Sequence, residues 1–359
     1  RYLCYFLAAL LILQDSYREK QIWGVAILGV LTVGTVVCSG NSTFILYLIM
    51  ILAAKEVNVR TIVKLTCIIQ GAMLLSIVVM SQIGIIPDYI FDASTRQRHG
   101  LGFLWTTTGA ILYFYFMVLY IYLREERAHL IEYVILEAVN FGLYKLTDAR
   151  MSFYLSTLLL VYVYVMRFYW QNRKDRIRKN RLLIGAPAFF CILAVACQIF
   201  YIPTDARWQK INSVLSGRLE LGCFGWRDYG FSLLGTKIEW IGFSHNATAG
   251  AYNYVDCSYM QILLENGLIP LVIIIAVYTY IMYMAVKEKD FYLQTAVLLI
   301  TAFSITEPRL LNLAYNPLPF FGITYISLRG RSALFHREGH RLNRRVRFRT
   351  THVRLKARK

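Results

Sequence analysis

Ile211-Asn-Ser-Val-Leu-Ser-Gly-Arg-Leu-Glu-Leu221 lies inside the longest interruption of an otherwise apolar chain. The interruption runs from Tyr201 to Met260, and its neighbours, Leu182–Ile202 and Tyr259–Ala285, are apolar almost throughout. Of 359 residues, 57% are hydrophobic and 17% charged, whereas soluble domains carry about 45–50% apolar and about 25% charged residues. Runs of roughly 17–25 apolar residues cross a bilayer as helices, and several are present. A transmembrane barrel would alternate polar and apolar residues instead. The pattern predicts an all-α, polytopic transmembrane bundle of about 10–11 spans. It occupies residues 1–328 and includes one large extracytoplasmic loop at 202–258, with a basic cytoplasmic tail at 329–359.

Orientation follows from the excess of Lys and Arg in cytoplasmic loops. Placing Arg18/Lys20, Lys55/Arg60, Arg124/Arg127, the Arg173–Arg181 run, Lys287/Lys289 and the tail in the cytoplasm makes every intervening span alternate. Segments 39–43, 87–100, 147–150, the long loop and 306–317 then face outward. The tail holds twelve Lys/Arg against one Glu, or eleven of the net charge of +18. Such a run beside a membrane contacts anionic headgroups, at about 1 kcal/mol per residue. No nucleic-acid module accompanies it, so membrane lipids are the expected partner and nucleic acid is not. The chain begins with Arg rather than Met, and its first apolar run, Tyr2–Leu13, is short, so a preceding segment is expected.

The outward segments carry arginines that the charge rule disfavours there: Arg96, Arg98, Arg150, Arg218 and Arg309. Guanidinium binds phosphate through paired, charge-assisted hydrogen bonds and stays protonated. Together they point to a phosphorylated, membrane-borne substrate. Taken singly, each has a local acid to pair with: Arg150 with Asp148, Arg218 with Glu220, Arg309 with Glu307. In Thr306-Glu-Pro-Arg-Leu-Leu-Asn-Leu-Ala-Tyr-Asn-Pro317, Pro308 stops the preceding helix. Glu307, Arg309, Asn312, Tyr315 and Asn316 then offer donors and acceptors suited to a hydroxyl-rich ligand. Asp256 stands where a helix containing Tyr259 begins. It is read both as that helix's N-cap and as a carboxylate able to take a proton from a hydroxyl.

Other features carry less. His245 lies in a Gly-rich polar stretch as a candidate for a direct role, and Asn41 and Asn246 head glycosylation-type triplets. Glu132 and Glu137 fall inside an apolar span, where a carboxylate is costly and turns toward the bundle interior. The seven cysteines show neither metal-site spacing nor Cys-x-x-Cys, so no metal and no cofactor are expected. Cys223 and Cys257 share the long loop as a candidate disulfide.

Five stretches in this order resemble the Wzy-type bacterial polysaccharide polymerases, in the superfamily that includes the O-antigen ligases. They are Arg96-Gln-Arg98-His-Gly-Leu-Gly-Phe103, the Thr147-Asp-Ala-Arg150 turn (similar to the family's Thr-Asp-Ser-Arg), Ile211–Leu221, Asp256-Cys-Ser-Tyr259 with Leu264-Glu-Asn-Gly267-Leu-Ile-Pro270, and Thr306-Glu-Pro-Arg-Leu-Leu with Asn316-Pro. Ligases usually carry His-Asn where this chain has Asp256-Cys257, which favours polymerase over ligase. The resemblance implies an enzyme of the bacterial cytoplasmic membrane with an outward-facing site. Its reaction would move a growing glycan from a polyprenyl-pyrophosphate carrier to a sugar hydroxyl of an incoming polyprenyl-pyrophosphate-linked oligosaccharide, without nucleotide sugar or metal. Arg218 would stabilise the leaving diphosphate, supported by Arg150 and Arg309, with Arg96 and Arg98 among the substrate-binding residues. Asp256 or Glu307 would orient or deprotonate the acceptor, and Glu220, Tyr259, Asn312, Tyr315 and Asn316 would complete the substrate site. A chain-length regulator is a candidate partner. The rivals are an O-antigen-type ligase and a lipid-linked oligosaccharide flippase. A flippase fits less well, since transporters show repeated halves and interrupted helices near the midplane.

Overall fold

A computed structural model describes residues 11–12, 19–93, 96–171, 176–242 and 252–326. The basic tail, His245, the Asn246 triplet and most of Tyr2–Leu13 lie outside them, as does the side chain of Arg96. Most described residues are helical: α1 (Glu19–Ser39), α2 (Thr43–Ala53), α3 (Val59–Gln82), α4 (Thr108–Arg124), α5 (Leu130–Thr147), α6 (Arg150–Gln171), α7 (Ala186–Ile199), α8 (Ala206–Val214), α9 (Arg218–Tyr229), α10 (Ser258–Glu265), α11 (Leu268–Glu288) and α12 (Phe291–Phe303). The all-α expectation needs one correction. Between α3 and α4, β1 (Ile90–Ala93) and β2 (Arg96–His99) form an antiparallel hairpin with Phe91 opposite Arg98.

Ile22–Ser39, Val59–Gln82, Arg181–Ile199 and Leu268–Glu288 are long and apolar enough to cross a membrane. The other apolar runs depart from that standard for visible reasons. α2 and α12 have only 11 and 13 residues, and α5 carries Glu132, Glu137 and Lys145. α4 is apolar on every side, the mark of a helix surrounded by others. It packs against α3, α5, α6 and α12, and Phe114, Tyr115 and Met117 are fully buried. Outward-pointing residues are also apolar. Leu65, Ile68 and Leu75 of α3 and Ile131 and Val134 of α5 are more than half exposed, a surface that water would not stabilise and hydrocarbon does.

The segment between α7 and α10 is not one open loop, because it holds α8 and α9. Asp205 starts α8 by accepting from the backbone N–H groups of Arg207 and Trp208. Leu219 and Cys223 of α9 bury against Tyr201. Gly222 permits this closeness, since a Cβ there would fall 1.6 Å from Gln198 Oε1 on α7. The amphipathic short helices were hidden in the sequence by their length and their mixed polarity.

Polar segments gather at two ends of the bundle. At one, Arg60 pairs with Glu125 (2.9 Å), Arg124 with Glu132 (2.5 Å), and the Tyr325 hydroxyl donates to Glu288 (3.0 Å). At the other, the hairpin, the Thr147 turn, the start of α9, residues 252–258 and the turn after α12 come together. Glu132 thus belongs to the first end. Glu137 accepts from Thr157 Oγ1 (2.7 Å) and Asn140 Nδ2 (3.2 Å), joining α5 to α6.

Candidate active site

Arg218 is the first residue of α9, and the turn before it sets its direction. Ser216 and Gly217 both have positive φ (57° and 84°), an unstrained geometry for the glycine. Asn212 Oδ1 accepts from the N–H groups of Leu219 and Glu220 (3.1 and 3.3 Å), and its Nδ2 donates to Glu220 Oε2 (3.3 Å). Glu220 is therefore engaged by Asn212. Arg218 turns away from its local acid and reaches across the chain. Its Nε donates to Thr306 O (2.8 Å), its Nη2 to Glu307 Oε1 (3.1 Å), and Nε stands 3.7 Å from Asp256 Oδ2.

The two carboxylates are positioned by one serine. Ser258 N–H donates to Ser304 O (3.0 Å). Its hydroxyl donates to Glu307 O (2.5 Å) and accepts from Leu310 N–H (3.1 Å). The start of α10 and the turn after α12 are locked together, with Asp256 on one strand of the junction and Glu307 on the other. Asp256 is not the N-cap expected from the sequence. The cap position is Cys257, which makes no side-chain cap bond, so the Asp256 carboxylate is left to face Arg218.

Arg98 Nε donates to Thr147 O (3.0 Å), tying the hairpin to the turn between α5 and α6. In that turn Asp148 is left-handed (φ 49°) and Arg150 Nε approaches Asp148 Oδ1 at 3.4 Å. Around the junction lies a cavity of about 490 Å³ with Arg98, Asp148, Arg150, Arg218, Asp256 and Glu307 on its walls. Trp105 and Tyr252 add aromatic faces. Comparison of the chain with family models, curated proteins and solved structures gives no match.

Exposure separates the roles of the charged groups. The Asp256 side chain is 26% exposed, Arg218 16% and Glu307 8%. Burial pushes the Glu307 carboxyl up to about 7 against the opposing pull of Arg218, and the Asp256 charge nearby pushes the same way. Burial also raises Asp256, with Arg218 and Arg309 opposing. Protonation of Glu307 would leave three guanidinium groups facing two carboxylates, a net positive chamber suited to an anionic group with several oxygens.

The remaining sequence candidates divide. Arg96 lies on β2. Arg309 does not pair with Glu307 as one sequence alternative had it: its guanidinium lies 4.3 Å from the Tyr315 ring centre, and its Nε is buried without a hydrogen-bond partner. Asn312 lines a second, smaller pocket. Tyr259 and Asn316 are fully buried and off the cavity. Tyr259 donates to Thr301 O (2.6 Å), and Asn316 Nδ2 donates to Tyr278 Oη (2.6 Å) and Leu310 O (2.7 Å). Both join segments of the bundle through these bonds. Cys223 and Cys257 are free thiols. The sequence did not single out Asn212, Ser258, Trp105 or Tyr252. Of these only Tyr252 left a signal, as a ring-bearing residue in a polar outward segment.

The raised Glu307 carboxyl carries a stability consequence. Between about pH 4.5 and 7 the folded chain keeps a proton that the unfolded chain releases. Stability therefore falls as pH rises through that window, by roughly 3 kcal/mol at most. Thermal unfolding of the purified chain should show a lower midpoint at neutral than at mildly acidic pH, and Glu307→Gln should flatten that slope. An unchanged slope in the variant would remove Glu307 as its source.

Proposed function

We propose that the chain is a Wzy-type polymerase, joining polyprenyl-pyrophosphate-linked oligosaccharides at the outer face of a bacterial cytoplasmic membrane. The observation that carries this reading is the meeting of Arg98, Arg150 and Arg218 with Asp256 and Glu307 on one cavity, at one end of a bundle with apolar outer walls. A diphosphate leaving group needs cationic stabilisation as charge develops on it, and the three arginines supply it. Trp105 and Tyr252 suit sugar rings, which pack on aromatic faces while their hydroxyls stay hydrogen-bonded.

In this reading the bond between the donor's anomeric carbon and the pyrophosphate oxygen breaks. A bond forms from the acceptor hydroxyl oxygen to that carbon, and the hydroxyl proton passes to a carboxylate. Asp256, the more exposed of the pair, takes the proton. Glu307, held against Arg218 at 3.1 Å, fixes the guanidinium that meets the diphosphate. The Lys/Arg-rich end of the bundle faces the cytoplasm, so the cavity opens on the opposite side.

Proteoliposomes containing the purified chain and a synthetic polyprenyl-pyrophosphate repeat unit test the proposal. A ladder of products on a gel, formed without nucleotide or added metal, is the expected result. Single addition of the glycan to a different acceptor would mean a ligase. Transfer of unreacted substrate across the bilayer would mean a flippase. Either would overturn the polymerase reading.

A further inference from the structure

A second pocket, of about 250 Å³, lies on the far side of the junction that Ser258 locks. Asp256 and Glu307 face the arginine cavity, whereas Ser258 and Pro308 face this one. Its polar walls include Asn41, Gln261, Glu265, Asn266 and Asn312, with Trp240 and Tyr254 as aromatic faces and no Lys or Arg among its lining residues. The Trp240 ring lines the pocket, and its indole nitrogen is buried without a hydrogen-bond partner. Asn41 Nδ2 donates to Glu265 Oε1 (2.7 Å), which takes up part of that carboxylate's capacity.

The pocket does not end in protein. Phe44, Tyr47 and Leu311 line it and also line an apolar groove of about 170 Å³ between α1, α2, α11 and the helical turn at 319–326. That groove is lined by hydrocarbon such as Leu28, Leu48, Ile273 and Val277. α1 and α11 are long and apolar enough to span a membrane, so the groove runs between helices of membrane-spanning length.

We propose that pocket and groove together form a glycolipid site, with a neutral sugar head in the pocket and a hydrocarbon chain in the groove. Each competing head group meets an obstacle. A phosphate would find Glu265 and no cation among the lining residues. A quaternary ammonium would satisfy the aromatic rings but can donate no hydrogen bond to, and accept none from, the Asn41, Gln261, Asn266 and Asn312 carboxamides. A sugar hydroxyl both donates and accepts, matching the carboxamides and Glu265, while its ring packs on Trp240 or Tyr254. The site is distinct from the arginine cavity, and its test does not depend on what that cavity catalyses.

The full chain in lipid nanodiscs would be labelled with two photoreactive probes sharing one diazirine-bearing alkyl chain, one headed by β-glucoside and one by phosphocholine. Mass spectrometry would locate the adducts. The glucoside should label peptides containing Leu28, Leu48, Ile273 or Val277 about fivefold more than the phosphocholine, the factor that one or two hydrogen bonds to the head would give. Unlabelled alkyl glucoside should compete. Asn312→Ala should bring glucoside labelling down to the phosphocholine level, and Val277→Phe, which fills the groove, should lower both. Equal labelling by the two probes, insensitive to Asn312→Ala, would reduce the groove to a resting place for bilayer chains and overturn the proposal. Stronger phosphocholine labelling, or none by either probe, would overturn it as well.

Discussion

Arg218→Ala is expected to abolish polymer formation in the reconstituted system, lowering the rate by at least about a hundredfold, the usual cost of removing one preorganised donor to developing charge. Arg218 is singled out because, among the described residues, its guanidinium alone lies between both carboxylates, anchored through Thr306 O at 2.8 Å and Glu307 Oε1 at 3.1 Å. Its removal leaves Asp256 and Glu307 facing one another. Glu307 already titrates near 7, so it can meet the loss by taking a proton, and the variant should keep its fold at mildly acidic pH. Arg218→Lys separates charge from geometry. Lysine restores a cation but not the planar fork that spans a carbonyl, a carboxylate and a diphosphate at once. Its rate should lie between the two, still at least about tenfold below the parent if bidentate contact matters. Measuring product ladders beside thermal midpoints distinguishes this from simple unfolding. Full activity in Arg218→Ala would remove the residue from the reaction.

The sequence carried much of this arrangement, for physical reasons. Apolar runs that exceed or approach bilayer length announce themselves by composition, and the Lys/Arg pattern groups the polar segments into two sets that fall at two ends of the bundle. Arg98, Arg150, Arg218, Asp256 and Glu307 all came from outward segments, and all five line one cavity. The pairing among them was not legible. Local spacing favoured Arg218 with Glu220, yet Asn212 engages Glu220 and the partner is Glu307, 89 residues away. A helix start suggested a cap for Asp256, while the helix begins one residue later. Tyr259 and Asn316 look like ligand-binding residue types, but their hydrogen bonds are spent on Thr301 and Leu310 inside the bundle. Polar residues within a membrane-type core serve helix packing as readily as ligands, and sequence position alone does not separate the two uses. Ser258 shows the converse, a small residue inside the Asp256–Tyr259 stretch that drew no role from the sequence yet locks the junction bearing both carboxylates.

Asp256→Asn should retain binding of the lipid-linked substrate and lose turnover by about 10²–10⁴-fold, the range for a positioned general base. Asparagine keeps the size of the side chain but cannot take the proton. In the parent the rate should fall as pH drops, because the base must be ionised. Since burial raises the Asp256 carboxyl above its ordinary 3.8, that acid limb should lie at higher pH than a solvated aspartate would give. Glu307→Gln decides whether the limb belongs to Asp256. A glutamine oxygen can still accept from Arg218 Nη2, so the guanidinium stays in place, and the variant should keep both the limb and much of the rate. If instead the limb vanishes in Glu307→Gln while Asp256→Asn stays active, the two carboxylates exchange roles. The deeply buried one, 8% exposed, would then be the base, and the acceptor hydroxyl would have to reach past Arg218 to meet it. The exposure of Asp256 makes that the more demanding path, because an acceptor entering from the cavity encounters Asp256 first.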